Sequence, residues 1–430
     1  MRSVFSSPPP RLFSVHSLGS LVRAAVMACA IPACANEGVL GSFPTGPPDA
    51  GSATASNEDA NAGNGIGPEE RAPLPASAPI AIADDSTCVK TSDATVVCWG
   101  NNASCTLGNG ALPDEIPMSR EPVAASGLDH VRALFGGAYA YCALRDDGRV
   151  FCWGDMFFGD LMSSGGTPLA SGHLPVTPPF EQEGLGEVAQ LAVGRFFVCA
   201  LQTTGELRCW GENDRGQLGD GTQATRYLPT TISSFDGNVV SVSASMGGAF
   251  ACATTSRGSV YCWGDDRDGQ ISAVGKPGDL VLEPLRIDGL PEPALDVAVG
   301  AKHACARLQS GTVACWGDNQ RGQLGIGTTA TMSGPVQVLY LSDVVQLTAG
   351  ASHTCAVRSE GSVICWGDDA NGQSGSRGPS TRPQIVVEAS FGARSVACGS
   401  SHSCAWGEGG KVRCWGADTY GQLGASNATF

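Results

Sequence analysis

The 430-residue chain is 42% hydrophobic and 16% charged, apolar enough to bury a core and too sparsely charged for a disordered protein. Its 58 Gly and 26 Pro break the backbone too often for a helix-rich fold and suit turn-rich β architecture. A net charge of −15 opposes nucleic-acid binding, and 18 Cys are too many for an ordinary reduced cytosolic enzyme.

In chain order, the first element is an export signal. Arg2, Arg11 and Arg23 precede the uncharged stretch Ala24 to Ala33, about half the length of a membrane span. The stretch ends at Ile31-Pro32-Ala33-Cys34, which resembles a bacterial lipoprotein cleavage box with Cys34 lipidated. A second box ending at Cys29 competes with it, and a simply cleaved signal is the plain alternative. Residues 35–78 follow, rich in Gly, Ala, Ser and Pro and nearly devoid of large apolar side chains. Such a segment buries too little surface to offset the entropy of ordering, and it reads as a flexible linker.

From residue 79 to 430 one unit is written seven times. Cys-Trp-Gly recurs at Cys98, Cys152, Cys209, Cys262, Cys315, Cys365 and Cys414, in steps of 49 to 57 residues. Ten positions before each stands another Cys: Cys88, Cys142, Cys199, Cys252, Cys305, Cys355 and Cys404. After each Trp-Gly comes a version of x-(Asn/Asp)-x-x-Gly-Gln-Leu-Gly, cleanest from Glu212 to Gly219 and from Asp318 to Gly325. Within Cys305 to Cys315 two short β-type runs flank Ser310-Gly311, which predicts a hairpin with the two Cys directly opposite. Leu295 to Val299 and Pro335 to Val338 add an upstream and a downstream strand. Four strands per unit, seven times, predict an all-β fold, a seven-bladed β-propeller.

The pattern G-x-x-H-x-C-A-(L/V)-x-x-x-G-x-V-x-C-W-G-x-N-x-x-G-Q-L-G resembles the repeat of the regulator of chromosome condensation family, in the Cys-rich version of exported bacterial relatives. The resemblance covers about residues 79–430 and implies the same seven-bladed propeller. Its namesake is a nuclear guanine-nucleotide exchange factor, and other relatives bind proteins, including an exported bacterial inhibitor of β-lactamases. The resemblance therefore implies a binding scaffold more than a chemistry.

The paired Cys favour seven intra-blade disulfides, with reduced core thiols and metal binding as rivals. Structural zinc prefers Cys two to four apart, and here the spacing is ten. Chain-entropy arithmetic gives about 2.8 kcal/mol for each such short loop. Cys105, placed in the Gln position of the first unit's turn, and Cys398 are left over, and a Cys105–Cys398 clasp between the first and last blades is one reading of them. The last unit runs out soon after Gly424, so residues 70–78 are expected to supply its fourth strand.

Catalytic motifs are missing: there is no GxSxG, HExxH or P-loop. His303, His353 and His402 share one repeat position with Ser86, Ala140, Phe197 and Phe250, which argues for structural hydrogen bonding rather than ligation. The polar turn residues Asn102, Asn213, Asp266, Asn319, Asp369 and Asp418 are read as turn formers, and the repeated Trp as packing between blades. The second unit departs from the rest: Met156, Phe157, Phe158 and Met162 replace polar turn residues and form a candidate binding patch. The expectation is a non-catalytic, exported or lipid-anchored scaffold that binds another protein, outside the cytoplasm. It needs no cofactor or metal, binds no nucleic acid, and meets a membrane only through Cys34. A glycan- or wall-associated module or enzyme is the alternative, and a nucleotide exchange factor the weakest reading.

Overall fold

The computed structural model describes residues 79–156, 174–271, 279–376, 378–424 and 430. Apart from two single 3-10 turns, the regular structure there is all β, and no helix is long enough to span a membrane. The strands fall into seven antiparallel sheets, each built from consecutive strands. The first sheet runs Ile80–Ile82, Ser86–Lys90, Val96–Asn101 and Met118–Ala124. The fifth, Ala294–Val299, His303–Leu308, Val313–Gly317 and Met332–Gln337, follows the strands expected from sequence. The innermost strands of all seven sheets line one central channel, as required of a seven-bladed propeller.

The hairpin register matches the spacing argument. Cys305 faces Cys315, with Gly311 in the left-handed region at φ 76° to make the turn. The other six Cys pairs sit in the same register, and all seven form disulfides with Cα–Cα distances of 4.0–4.1 Å. Thirteen of these fourteen Cys are fully buried, and Cys414 of the seventh blade is partly buried.

The core lies between blades, not within them. Each of seven apolar clusters joins two neighbouring blades. One holds Ile80, Ile82, Val89 and Trp99 of the first blade against Cys404 and Val412 of the seventh, and so closes the ring. Because both faces of a blade are covered, its middle strands are apolar on both sides, and residues 250–255 and 260–265 are buried throughout.

The seventh blade shows three strands, Ala393–Cys398, His402–Gly407 and Val412–Gly416. The segment expected to complete it, residues 70–78, lies outside the described residues. Phe430 stands beside this blade: its amide donates to Gly410 O at 3.0 Å, and its ring stacks on Trp99 at 5.5 Å.

Candidate functional site

Rigid placement of the loops begins with the conserved columns of the repeat. In all six polar turns the Asn or Asp side chain accepts from the backbone five residues on, as in Leu218 N to Asn213 Oδ1 at 3.0 Å and Leu324 N to Asn319 Oδ1 at 3.0 Å. The turn thus presents one carbonyl, at the Gln column, to the next blade. Trp263 Nε1 donates to Gln217 O at 2.9 Å, Trp366 to Gln323 O at 2.8 Å, and Trp99 to Gln422 O at 3.0 Å across the closure. Trp153, Trp316 and Trp415 repeat the contact. The residue at this column of the second unit, Asp160, lies outside the described residues.

The three histidines add a second link in one part of the ring. His303 Nε2 meets Thr354 Oγ1 at 2.9 Å, His353 meets Ser403 Oγ at 2.8 Å, and His402 meets Thr87 Oγ1 at 3.0 Å. Each hydroxyl donates onward to a Gln-column carbonyl: Gln323, Gln373 and Gln422. A hydroxyl that spends its proton this way must accept from the imidazole, so the network assigns the proton to Nε2. Burial pushes His303 down to about 4 and His353 and His402 to about 3, so all three are neutral at neutral pH. All three are hydrogen-bonded to the following blade, as their column suggested.

Against this frame, four turns between inner and second strands meet at one mouth of the channel. Tyr139 of the second blade stacks on Phe196 of the third at 5.4 Å, and the exposed Arg195 guanidinium lies 5.4 Å over the Phe196 ring. Asp84 of the first blade accepts from Ser400 Oγ of the seventh, and its amide donates to Ala138 O at 3.0 Å. Burial raises its carboxyl to about 6, against the opposing pull of the Ser400 hydroxyl and the charge of Arg195. The mouth therefore combines two stacked aromatics, a cation and a carboxyl on backbone held by neighbouring blades. The aberrant turn of the second blade starts here too, since Asp155 N donates to Tyr139 O at 2.9 Å.

Behind the mouth the channel encloses about 490 Å³. Side chains from one inner strand cap the backbone of the next. Gln190 Nε2 donates to Val242 O at 3.1 Å while Val242 N donates back to Oε1 at 3.2 Å, and Gln346 grips Val396 in the same way. Arg132 donates to Val188 O at 2.9 Å. Asp296 is held by Arg307 Nε at 2.9 Å, and burial raises its carboxyl.

Of the sequence-predicted patch, Met156 ends the strand Val150–Met156, while Phe157, Phe158 and Met162 lie outside the described residues. The clasp is corrected: Cys105 and Cys398 are both free and both buried. Cys105 occupies the first Gly column rather than the Gln column, with φ 56° and its amide on Asn102 O, as Gly216 has φ 73° and its amide on Asn213 O. It belongs to the turn whose Thr106 carbonyl serves Trp153 of the second blade, whereas Cys398 packs with Cys355 and Cys365 of the sixth. The two thiols thus face opposite neighbours.

Sequence reasoning missed Asp84, Tyr139, Arg195 and Phe196. A signal was present: directly before the His column, Tyr139 and Phe196 are aromatic where the other units carry Asp85, Ala249, Lys302, Ser352 and Ser401. Two adjacent aromatics at an otherwise small or charged place mark the blades that differ.

Residues 166–429 match the RCC1-like domain, and residues 131–160 match the regulator of chromosome condensation (RCC1) repeat. Among curated relatives, the E3 ubiquitin-protein ligase HERC2 of Homo sapiens is 31% identical over 57% of this chain and 5% of its own length. The ultraviolet-B receptor UVR8 of Arabidopsis thaliana is 29% identical over 54% of this chain and 51% of its own. The chain thus spans at most about half of either relative. Prp20p from Saccharomyces cerevisiae, a solved structure described with its binding properties to Gsp1p and histones, superposes with TM-score 0.64 at 21% identity, over 81% of this chain and 84% of that one.

Proposed function

The chain belongs to the RCC1-like domain family, and from that premise we propose that it is a non-catalytic propeller scaffold that binds a protein partner through the channel mouth at Asp84, Tyr139, Arg195 and Phe196. The observation that carries this reading is the stacked Tyr139–Phe196 pair with Arg195 over it. Aromatics and Arg on a rigid frame are the side chains that dominate protein recognition. The relatives support a scaffold reading: a ligase, a receptor, and a protein described as binding Gsp1p and histones share the repeat while differing in role. The assignment includes export and tethering, with residues 1–34 as signal, Cys34 as lipid attachment and residues 35–78 as linker. Seven disulfides support it, because such bonds persist in oxidising compartments.

A photo-crosslinking residue placed at Phe196, with a second at Ser310 in a hairpin turn on the opposite face, tests the surface in intact cells. Discrete protein adducts at 196 and none at 310 are expected, and Arg195→Glu should abolish them. Equal adducts at both positions, or retention of the protein on purified wall polysaccharide without any protein adduct, would overturn the assignment.

A further inference from the structure

The seventh blade keeps one strand edge without a neighbour among the described residues. Its third strand, Val412–Gly416, pairs only with His402–Gly407. In the other six blades a fourth strand covers that edge, and each of these strands carries a proline at one fixed point: Pro122, Pro179, Pro229, Pro284, Pro335 and Pro383. The register around it is constant. The residue after the proline faces the Cys of Cys-Trp-Gly, as Val123 faces Cys98 and Val336 faces Cys315. The next residue faces the one before that Cys, as Ala124 faces Val97 and Gln337 faces Ala314. The proline also stands 12 or 13 positions ahead of the next blade's inner-strand residue that faces the position after the hairpin's first Cys, as Pro122 precedes Leu134 and Pro229 precedes Val242. In the first blade that inner-strand residue is Ile80, facing Val89, and 12 positions ahead of it stands Pro68.

We propose that the open edge of the seventh blade is the docking site of this chain's own residues 66–71, a few residues upstream of the stretch 70–78 expected above, with Glu69 opposite Cys414 and Glu70 opposite Arg413. Three observations select this occupant. The first is reach. Pro79 is held on the first blade, its carbonyl accepting from Lys90 N at 2.7 Å, and residues 72–78 then span the connection that residues 125–130 span between the first two blades. The second is charge. Arg413 is exposed and has no ion pair among the described residues, and the count sets the Glu70 carboxylate across the strand from it. The third is the end of the strand. In the fifth blade Val338, three residues after the proline, donates its amide to Val313 O at 2.9 Å and packs in one cluster with Trp366 of the next blade. Arg71 stands at that column with its amide set for Val412 O. The apolar half of the role falls to Phe430, whose ring stacks on Trp99, so a polar residue at 71 leaves no gap. A proline on the outermost strand also blunts the edge that remains, and the ring then offers no free strand edge to a partner.

Cross-linking reads the register directly. Cys404 faces Cys414 at the close spacing of a non-hydrogen-bonded pair, so on its other side Arg413 takes that same close spacing, which a disulfide accepts. In the full chain carrying Cys29→Ser and Cys34→Ser, Glu70→Cys with Arg413→Cys should link within one chain on mild oxidation, read by proteolysis and mass spectrometry. Pro75→Cys with Arg413→Cys, the pair that would face if Pro73 held the column, should stay unlinked. Hydrogen exchange of the unsubstituted chain gives a readout that needs no variant: peptides covering 66–71 should exchange roughly tenfold or more slowly than those covering 45–60. A link at 75 in place of 70, a link found only between two chains, or exchange over 66–71 as fast as over 45–60 would overturn the proposal.

Discussion

Two arcs of the ring solve one packing problem with opposite chemistry. From the fifth blade round to the first, His303, His353 and His402 lie against hydroxyls of the following blade. In the third and fourth blades the same column holds Phe197 and Phe250, which share apolar clusters with Ala251 and Ala304 of the following blade. The space is alike in both: a Cβ added at Gly300 would fall 2.2 Å from the His303 ring, and one at Gly194 would fall 2.2 Å from the Phe197 ring. Between the arcs a third solution appears, small then large, with Ser86 Oγ 3.0 Å from Tyr141 Oη. The exchangeable unit is therefore a pair of side chains across the blade boundary, not a single residue. An imidazole needs its hydroxyl because a buried polar group without a partner is costly, and a phenyl ring needs only a small apolar neighbour.

Acid should break the two arcs apart most strongly. The histidines sit at about 4, 3 and 3 when folded, against about 6.5 when unfolded. Their stabilisation is complete above about pH 6.5 and falls as pH drops towards 4, because the unfolded chain takes up protons that the folded one refuses. Each contributes a slope of up to about 1.4 kcal/mol per pH unit. Asp84, raised to about 6, works the other way: its contribution is full below about 4 and is lost as pH rises towards 6. Asp296, also raised by burial, acts in the same direction as Asp84. The three histidines outweigh these two carboxyls, so denaturant unfolding at pH 7, 6 and 5 should show stability falling with acid. The double variant His303→Phe with Thr354→Ala, which transplants the apolar pair, should remove about a third of the slope.

Within the apolar arc the effect is volume. Phe250→Ala should cost about 3–5 kcal/mol at pH 7, read by chemical denaturation, as for other fully buried aromatics. Within the polar arc, Thr354→Val keeps the volume and removes the hydroxyl, orphaning His303 Nε2 and one acceptor contact to Gln323, for about 1–3 kcal/mol. The double variant named above should cost less than this single change. A double variant costing as much as its two single changes summed would dissolve the idea of a paired unit.

Much of the architecture was legible because the repeat writes local structure in fixed columns. The spacing of ten with a central Gly gives the hairpin, and hence the position of Cys305 opposite Cys315. The Asn-to-Leu turn bond spans five residues and is equally local. Contacts between blades couple residues about 50 apart, such as His303 and Thr354, and no short pattern reports them. That is why the channel mouth, the Gln190 and Gln346 caps and the surroundings of Cys398 escaped notice. The misplacement of Cys105 has a similar root: its column is defined by a left-handed backbone, which the Gly of other units signals and a Cys hides.

The central claim is a ring whose seven blades each carry their own covalent cross-link. Proteolysis of the native, unreduced protein after blocking free thiols in denaturant, followed by mass spectrometry, tests it directly. The account predicts seven linked pairs, each joining Cys residues ten apart, with Cys105 and Cys398 recovered as blocked thiols. Peptides linked between different blades, or a linked Cys105–Cys398 pair, would contradict it.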